Sequence, residues 1–533
     1  MLKRTAALFG VFVLAAFFTV LAVFRVSVGG GLAEAAADQQ TDTLTISAGR
    51  GAIYDRNLDA MTGTGEEIYP AVVVPSDEAA AALYRVCPPE MMKSVGSLLS
   101  QGRPFTLKLP TKVTVQGIDV FPQKSRYSPD FPAAHVIGYL GGSGNGAAGV
   151  EKAFDKFLSS GQGKITVSYQ TDALGHILLG QEKTITDDSV QRRRGVVLTL
   201  DKSIQQIAER SLTRSLKKGA AVVLDVPSGK ILALASLPSF SQNSVASVLK
   251  SADSPLLDRA TSAYSLGSVF KLVAAASALE YGISPDTTFT CTGAVDVDGQ
   301  EFHCYSGEKH GTENMKQAIA NSCNTYFVRL MQKVPQKNFL QMAKLLGFGS
   351  SCEIATGMTT DAGTLPELSN LKVPRSLANF SFGQGELTAT PLQTAAMVDA
   401  IASGGKYTQP SLYVGEVDEN LRFTDSAQSK KSVRVMSEKT ASFLRESMKA
   451  SAETGTGQKG KPDFGEAGVK TATAQTGRYV NGKEQNDCWF AGFYPYDSPK
   501  FVIVVFSEGG DSGGIACGPV FRDIADGLYG YGN

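Results

Sequence analysis

The chain opens with an uncharged, almost wholly apolar run from Thr5 to Phe24, preceded by Lys3 and Arg4. At 1.5 Å per residue, about 20 such residues cross the roughly 30 Å hydrocarbon core of a bilayer. A cleaved secretory signal has a shorter apolar region, about 7–15 residues, although small residues suited to cleavage (Ala33, Ala35, Ala36) follow. A retained anchor is therefore expected: residues 1–4 as a cytoplasmic stub, 5–28 as the span, and 29–43, rich in Gly, Ala, Asp and Gln, as a linker. Lys3 and Arg4 would stay in the cytoplasm and leave the remainder outside the cell membrane.

Past the linker, strand-like and helix-like patterns alternate. Leu44 to Ile46 alternates as a strand, and residues 77–86 and 149–155 have helical, amphipathic spacing. The run Gln191-Arg192-Arg193-Arg194 marks a boundary and reads as a solvated connection rather than a phosphate site. Beyond it, residues 196–200 form a strand, and Asp201 caps a helix from Lys202 to about Lys217. Residues 220–226 and 231–235 are strands joined by the turn Pro227-Ser228-Gly229-Lys230. A mainly helical stretch leads to strands at 469–474, 488–494 and 501–506 and a closing helix at 522–529. Strands at both ends with helices between predict one sheet assembled from distant parts of the chain. Two regions are expected, 44–190 and 191–533, with no internal repeat.

Composition narrows this only a little. A chain of 533 residues holds two or three domains, and 43% hydrophobic with 19% charged residues is globular. The formal net charge of zero gives no reason to expect nucleic acid. No Cys-x-x-Cys pair and no His cluster has zinc spacing, so no metal and no cofactor is expected. Seven cysteines are an odd number, and a disulfide is permitted outside the membrane. Cys291 and Cys304, which bracket a short polar loop, are the expected pair; the alternative is seven simple thiols.

Three short motifs in one order carry the chemistry: Ser268-Val269-Phe270-Lys271, then Ser322-Cys323-Asn324, then Lys470-Thr471-Ala472. Each is weak alone, since Ser215-Leu216-Lys217-Lys218 and Ser241-Gln242-Asn243 have the same spellings. Ser268 differs in context. It follows the turn-like Tyr264-Ser265-Leu266-Gly267 and precedes the helical run Leu272 to Leu279, which puts Lys271 on its face one turn later. A serine hydroxyl needs a base, and a lysine serves if it is neutral. Burial and a second cation, Lys470, would lower the pKa of Lys271. Ser322 is suited to relay a proton to the leaving amine, and Asn324 to hold the substrate amide and the Lys271 head. The bland alternative makes Ser322 a helix N-cap. Lys470 to Gln475 reads as an exposed edge strand able to pair with an extended peptide. There Lys470 and Thr471 would bind a carboxylate, and the N–H groups of Ser268 and Thr473 would form an oxyanion hole.

These residues resemble the penicillin-binding proteins, specifically the monofunctional class B D,D-transpeptidases. The likeness extends to Arg50-Gly51-Ala52-Ile53-Tyr54-Asp55-Arg56, His135-Val136-Ile137-Gly138-Tyr139 and Gly149-Val150-Glu151 in the first region. In the second it includes Ala221 to Asp225, Gly383-Gln384-Gly385, Thr390-Pro391-Leu392-Gln393 and Trp489 to Phe493. The resemblance implies an α+β fold: a transpeptidase domain like the serine β-lactamases, with a central antiparallel sheet and helices. Before it would come an elongated α+β pedestal and one transmembrane helix. It implies that Ser268 attacks the penultimate D-alanine of a peptidoglycan stem peptide, that a neighbouring stem's amine resolves the acyl-enzyme, and that β-lactams acylate the same serine. No glycosyltransferase region is apparent, so a polytopic glycosyltransferase partner is expected. The sequence departs from the family pattern at Leu266 (usually Pro), Val269 (usually Thr or Ser) and Ala472 (usually Gly); that last methyl is expected to narrow the cleft against bulky β-lactams.

Other readings share the motifs. A D,D-carboxypeptidase or serine β-lactamase would hydrolyse its acyl-enzyme, but the long first region and the anchor argue against a lactamase. A β-lactam sensor would need a receiver inside the cell, where only about four residues are expected. A cell-wall scaffold role is compatible with catalysis.

Overall fold

The structure, a computed structural model, describes residues 2–28, 41–47, 49–128, 133–160, 163–172, 176–178, 182–480 and 482–531. Of the expected linker, residues 29–40 lie outside the described residues, and Thr41–Ser47 is already a strand. Leu2–Val28 is one helix. Within its segment Lys3–Ser27 an 18-residue window has a mean hydropathy of 2.7 and no buried residue, and the segment is long and apolar enough to cross a bilayer.

The chain packs as two compact units. One comprises Met1–Arg50, Glu66–Ser125 and Gly161–Arg192; the other comprises Gly51–Gly65, Arg126–Ser160 and Arg193–Asn533. In the first, Glu67–Val73 pairs antiparallel with Phe105–Leu109 and Ile118–Val120. The helix Asp77–Val86, capped by Ser76, buries Ala79, Ala82 and Leu83 in one core with these strands. Thr41–Ser47, Ile165–Gln170 and Thr184–Asp187 form a second small sheet.

In the second unit a five-stranded antiparallel sheet runs Lys230–Leu237, Gly219–Asp225, Phe501–Gly510, Lys483–Tyr494, Gly468–Val480. This is the sheet from both ends of the region that the sequence predicts. Its central strands are apolar at nearly every position because both faces are covered. Ala221 and Val223 pack with the helices Lys202–Ser215 and Gly518–Gly527, while Ala220, Val222 and Leu224 pack with the helical side that carries Lys271–Glu280 and Pro391–Ala402. Every residue of Pro391–Ala402 is buried. The Thr390-Pro391-Leu392-Gln393 stretch starts it with a reciprocal capping box and Pro in the first turn.

Two stretches expected in the pedestal pack in this second unit. Ala52–Tyr54 adds a parallel strand to Gly195–Leu198. Arg126 pairs with the fully buried Glu151 and donates to the Gly51 carbonyl at 3.2 Å. The backbones at Gly138 and Gly149 touch: a Cβ on Gly138, whose φ is +78°, would lie 1.9 Å from the Ala148 carbonyl oxygen. So Gly51, His135 to Tyr139 and Gly149-Val150-Glu151, from three family-like stretches, pack within one unit.

Gln393 tests this packing. Its buried amide reaches the carbonyls of Gly347, Ser350 and Ala362 at 3.2, 2.9 and 2.8 Å. Gln393→Leu strands those acceptors and should cost about 2–4 kcal/mol in urea unfolding; a loss below about 1 kcal/mol would contradict the role.

Candidate active site

The nucleophile turn is clamped before it reaches Ser268. Tyr264–Ser265 pairs with Thr388–Ala389. The Ser265 N–H donates to Asp487 at 3.2 Å, and Trp489 Nε1 donates to the Ser265 carbonyl at 2.8 Å. Gly267 N–H donates to the Gly383 carbonyl at 2.9 Å. Gly383, with φ +83°, comes so close that a Cβ there would sit 2.0 Å from the Gly267 oxygen. Gly267–Phe270 is a 3-10 turn that runs directly into the helix Lys271–Glu280. Leu266 and Val269, two of the departures from the family pattern, are fully buried packing residues.

Lys271 is fully buried, and its amine meets four oxygens: the Ser322 carbonyl at 2.5 Å, Asn324 Oδ1 at 2.6 Å, Ser268 Oγ at 3.0 Å and Ser322 Oγ at 3.2 Å. The carbonyl and the amide oxygen only accept. A neutral amine spends its two N–H bonds on them and leaves its lone pair for the Ser268 hydroxyl. Asn324 is oriented by its own Nδ2, which donates to the His303 carbonyl at 2.8 Å. Ser322 is not an N-cap: the helix starts at Asn324 with Cys323 as its cap, and Ser322 sits at φ +59° between two helices. That conformation costs a non-glycine residue about 1–3 kcal/mol. It brings the Ser322 carbonyl and hydroxyl to one amine.

Gly468–Val480 lies at the sheet edge, bonded only to Lys483–Tyr494 among the described strands. Side chains alternate along it. Lys470 is fully buried and bonds Ser322 Oγ at 2.8 Å; Ala472, 3% exposed, and Ala474 face the nucleophile turn, where a Cβ on Gly267 would lie 3.4 and 3.1 Å from their methyls. Thr471 Oγ1 is 2.7 Å from Thr456 Oγ1, and Thr473 Oγ1 accepts from Gly513 N–H at 3.1 Å. Ser268, Ser322, Asn324, Thr471 and Thr473 line one cleft of about 1000 Å³.

Burial lowers the pKa of Lys271 to about 8, with no carboxylate paired to it among the described residues. Burial also lowers Lys470 far below its usual value, and repulsion from Lys271 adds to that. The repulsion is mutual, so each lysine acts as a second cation for the other and adds to the desolvation that works against protonating both.

Five of the seven residues selected from sequence line this cleft, and the two buried lysines reach it through their bonds to Ser322. The look-alike motifs do not: Lys218 pairs with Asp253 at 2.9 Å, and Asn243 donates to the Tyr127 carbonyl at 3.1 Å. Sequence reasoning missed Thr456 and the His303 carbonyl, tertiary contributions without a motif, and gave Gly383 only as part of a family-like stretch without its contact to the nucleophile turn. It also erred on the cysteines. Cys291 and Cys304 are free thiols with Sγ atoms 3.6 Å apart, not a disulfide, and they lie together with His310 and Cys323. The sequence spacing shows no metal motif because four separate segments supply the cluster.

Residues 219–526 match the family described as "Penicillin binding protein transpeptidase domain". Over 97% of its length the chain is 28% identical to stage V sporulation protein D of Bacillus subtilis, covering 83% of that protein. Over 76% it is 29% identical to the peptidoglycan D,D-transpeptidase MrdA of Acinetobacter baumannii, covering 66% of it. A solved structure described as "Structural coordination of polymerization and crosslinking by a peptidoglycan synthase complex" has a TM-score of 0.73, 24% identity and 99% coverage of both chains, which shows the shared fold. A covered five-stranded sheet with serine, two buried lysines and an edge strand around one cleft defines a serine-acylating enzyme of the β-lactamase and transpeptidase class. The chain belongs to the penicillin-binding protein transpeptidase family.

Gly383→Ala should displace the nucleophile turn. Fluorescent penicillin labelling is expected to slow by about tenfold or more; wild-type labelling would show that the Gly383 contact does not set the Ser268 position.

Proposed function

We propose that this chain cross-links peptidoglycan stem peptides through an acyl-enzyme on Ser268. The supporting observation is the Ser268–Lys271 contact of 3.0 Å to an amine that is buried and has no counter-ion partner. Ser268 Oγ attacks the carbonyl carbon of the penultimate D-alanine, and its proton passes to Lys271 Nζ. The N–H groups of Ser268 and Thr473 hold the oxyanion. The peptide C–N bond breaks, and the departing D-alanine amine takes a proton through Ser322, whose hydroxyl touches both lysines. An acceptor amine from a second stem then attacks the ester and releases Ser268. Asn324 holds the substrate amide, and Lys470 with Thr471 receives the terminal carboxylate. The edge strand Gly468–Val480 pairs with the peptide backbone. β-Lactams take the same path and leave slowly.

In this reading the protein is a single-pass membrane protein with its catalytic unit outside the cytoplasm, which the apolar N-terminal helix and the flanking Lys3 and Arg4 support. Residues 44–190 serve as the pedestal region and 191–533 as the transpeptidase domain. Chain polymerisation comes from a polytopic glycosyltransferase, in line with the synthase complex to which the chain is similar in fold.

Three outcomes test this reading. Lys271→Ala should abolish fluorescent penicillin labelling while the melting profile persists; near-wild-type labelling would refute Lys271 as the base. Because the neutral amine is the active form and burial lowers its pKa to about 8, acylation should rise about tenfold per pH unit below 8 and level off above it. A rate flat from pH 6 to about 9 would exclude a lysine base. Finally, Ala472→Gly removes the methyl between the edge strand and Gly267 and should speed acylation by bulky β-lactams. An unchanged rate would dismiss the methyl as an obstacle.

A further inference from the structure

Behind the Ser322-Cys323-Asn324 segment, three thiols and an imidazole converge from four places. Cys291 ends the strand Phe289–Cys291, and Cys304 directly follows the strand Gln300–His303. His310 precedes the strand Gly311–Glu313, and Cys323 caps the helix Asn324–Met331. Their donor atoms all lie within 4.8 Å of one another, and the three sulfurs are buried.

Three of the six donor separations are close to those of a tetrahedral metal cage. Zinc–sulfur bonds of about 2.3 Å and zinc–nitrogen bonds of about 2.0 Å at tetrahedral angles place sulfurs about 3.8 Å apart and sulfur about 3.6 Å from nitrogen. Observed separations are 3.6 Å for Cys291–Cys304, 3.9 Å for Cys304–Cys323, and 3.4 Å from Cys291 Sγ to His310 Nδ1. A disulfide would need about 2.05 Å. Two neighbours favour a cation. The other imidazole nitrogen, His310 Nε2, makes no hydrogen bond but lies 3.4 Å from the Glu308 carboxylate, an anion beside the cluster. Glu313, only 2% exposed, has one carboxylate oxygen with no hydrogen-bond partner, 3.9 Å from His310 Nδ1.

We propose that Cys291, Cys304, His310 and Cys323 bind one zinc ion, and that this ion holds Ser322 and Asn324 in position for the serine chemistry. Three thiols and one imidazole are a closed structural set with no open position, so the ion does no chemistry on substrate. Binding releases the three thiol protons to solvent and leaves three thiolates and a neutral imidazole on the metal. The mechanical consequence is direct. Cys323 separates Ser322 from Asn324, and Cys304 follows His303, whose carbonyl orients Asn324 at 2.8 Å. Tying Cys304 to Cys323 fixes that contact and the strained Ser322 backbone together. The binding claim stands without the proposed reaction; the positioning claim rests on it.

The test uses the whole protein in detergent, purified with a phosphine reductant and no chelator. One zinc per chain is expected by elemental mass spectrometry. Replacement by cobalt should give tetrahedral visible bands and a thiolate charge-transfer band, and neither reading depends on activity. Cys291→Ser should lose the metal, whereas Cys291→His, which keeps a zinc-competent set, should retain it. Chelation should slow fluorescent penicillin labelling of Ser268 by about tenfold or more, with recovery on added zinc and not on magnesium. Metal-free protein with reduced thiols at these positions, or a disulfide among them in a non-reducing peptide map, would overturn binding. Bound zinc whose removal leaves labelling unchanged would overturn the positioning role and leave the serine chemistry intact.

Discussion

A lysine amine with no counter-charge is the constraint on which the rest of this catalytic unit depends. Lys271 is sealed inside the helical layer, and desolvation works against its protonated form. Its partners are a backbone carbonyl, an amide oxygen and two hydroxyls. A carboxylate in place of Asn324 would restore the charge and remove the base. The unit therefore places acceptors around the amine while withholding an anion. Both a strained backbone at Ser322 and an asparagine fixed by the His303 carbonyl serve that end.

The same logic explains why the site sits where sheet and helices meet. The edge strand offers backbone hydrogen-bonding groups and delivers Lys470 inward, while the adjacent helix delivers Ser268 and Lys271. A buried helix, Pro391–Ala402, packs against the sheet, and its first-turn Gln393 bonds loop carbonyls. Asp487 and Trp489 on the neighbouring strand hold Ser265 from two sides, so the nucleophile turn is referenced to the sheet. Glycines at 267 and 383 let backbones approach where no side chain fits.

Beyond the catalytic cleft, the Cys291, Cys304, His310 and Cys323 cluster gives the Ser322–Asn324 segment a second support from behind. A short hairpin module thereby becomes part of the site: its His303 carbonyl holds Asn324, and Gln300, Glu301, Phe302 and His303 line the cleft with Ser268. Gly51 and Gly149-Val150-Glu151 are likewise distant segments gathered in the second unit. Buried pairing of Arg126 with Glu151 binds those segments into the catalytic unit.

By itself the sequence determined the elements and the chemistry. Apolar runs with turn residues between them set the sheet strands, Asp201 marks a helix start, and three ordered motifs name the nucleophile, the base and the edge strand. Those features are local, because periodicity, capping and the Ser268–Lys271 spacing act within a few residues. Tertiary structure alone decided the burial of both lysines, the left-handed turn at Ser322, the place of residues 51–65 and 126–160, and the gathering of three cysteines with one histidine. Each of these depends on burial or on groups far apart in the chain, and neither desolvation nor long-range contact leaves a short-range pattern to read.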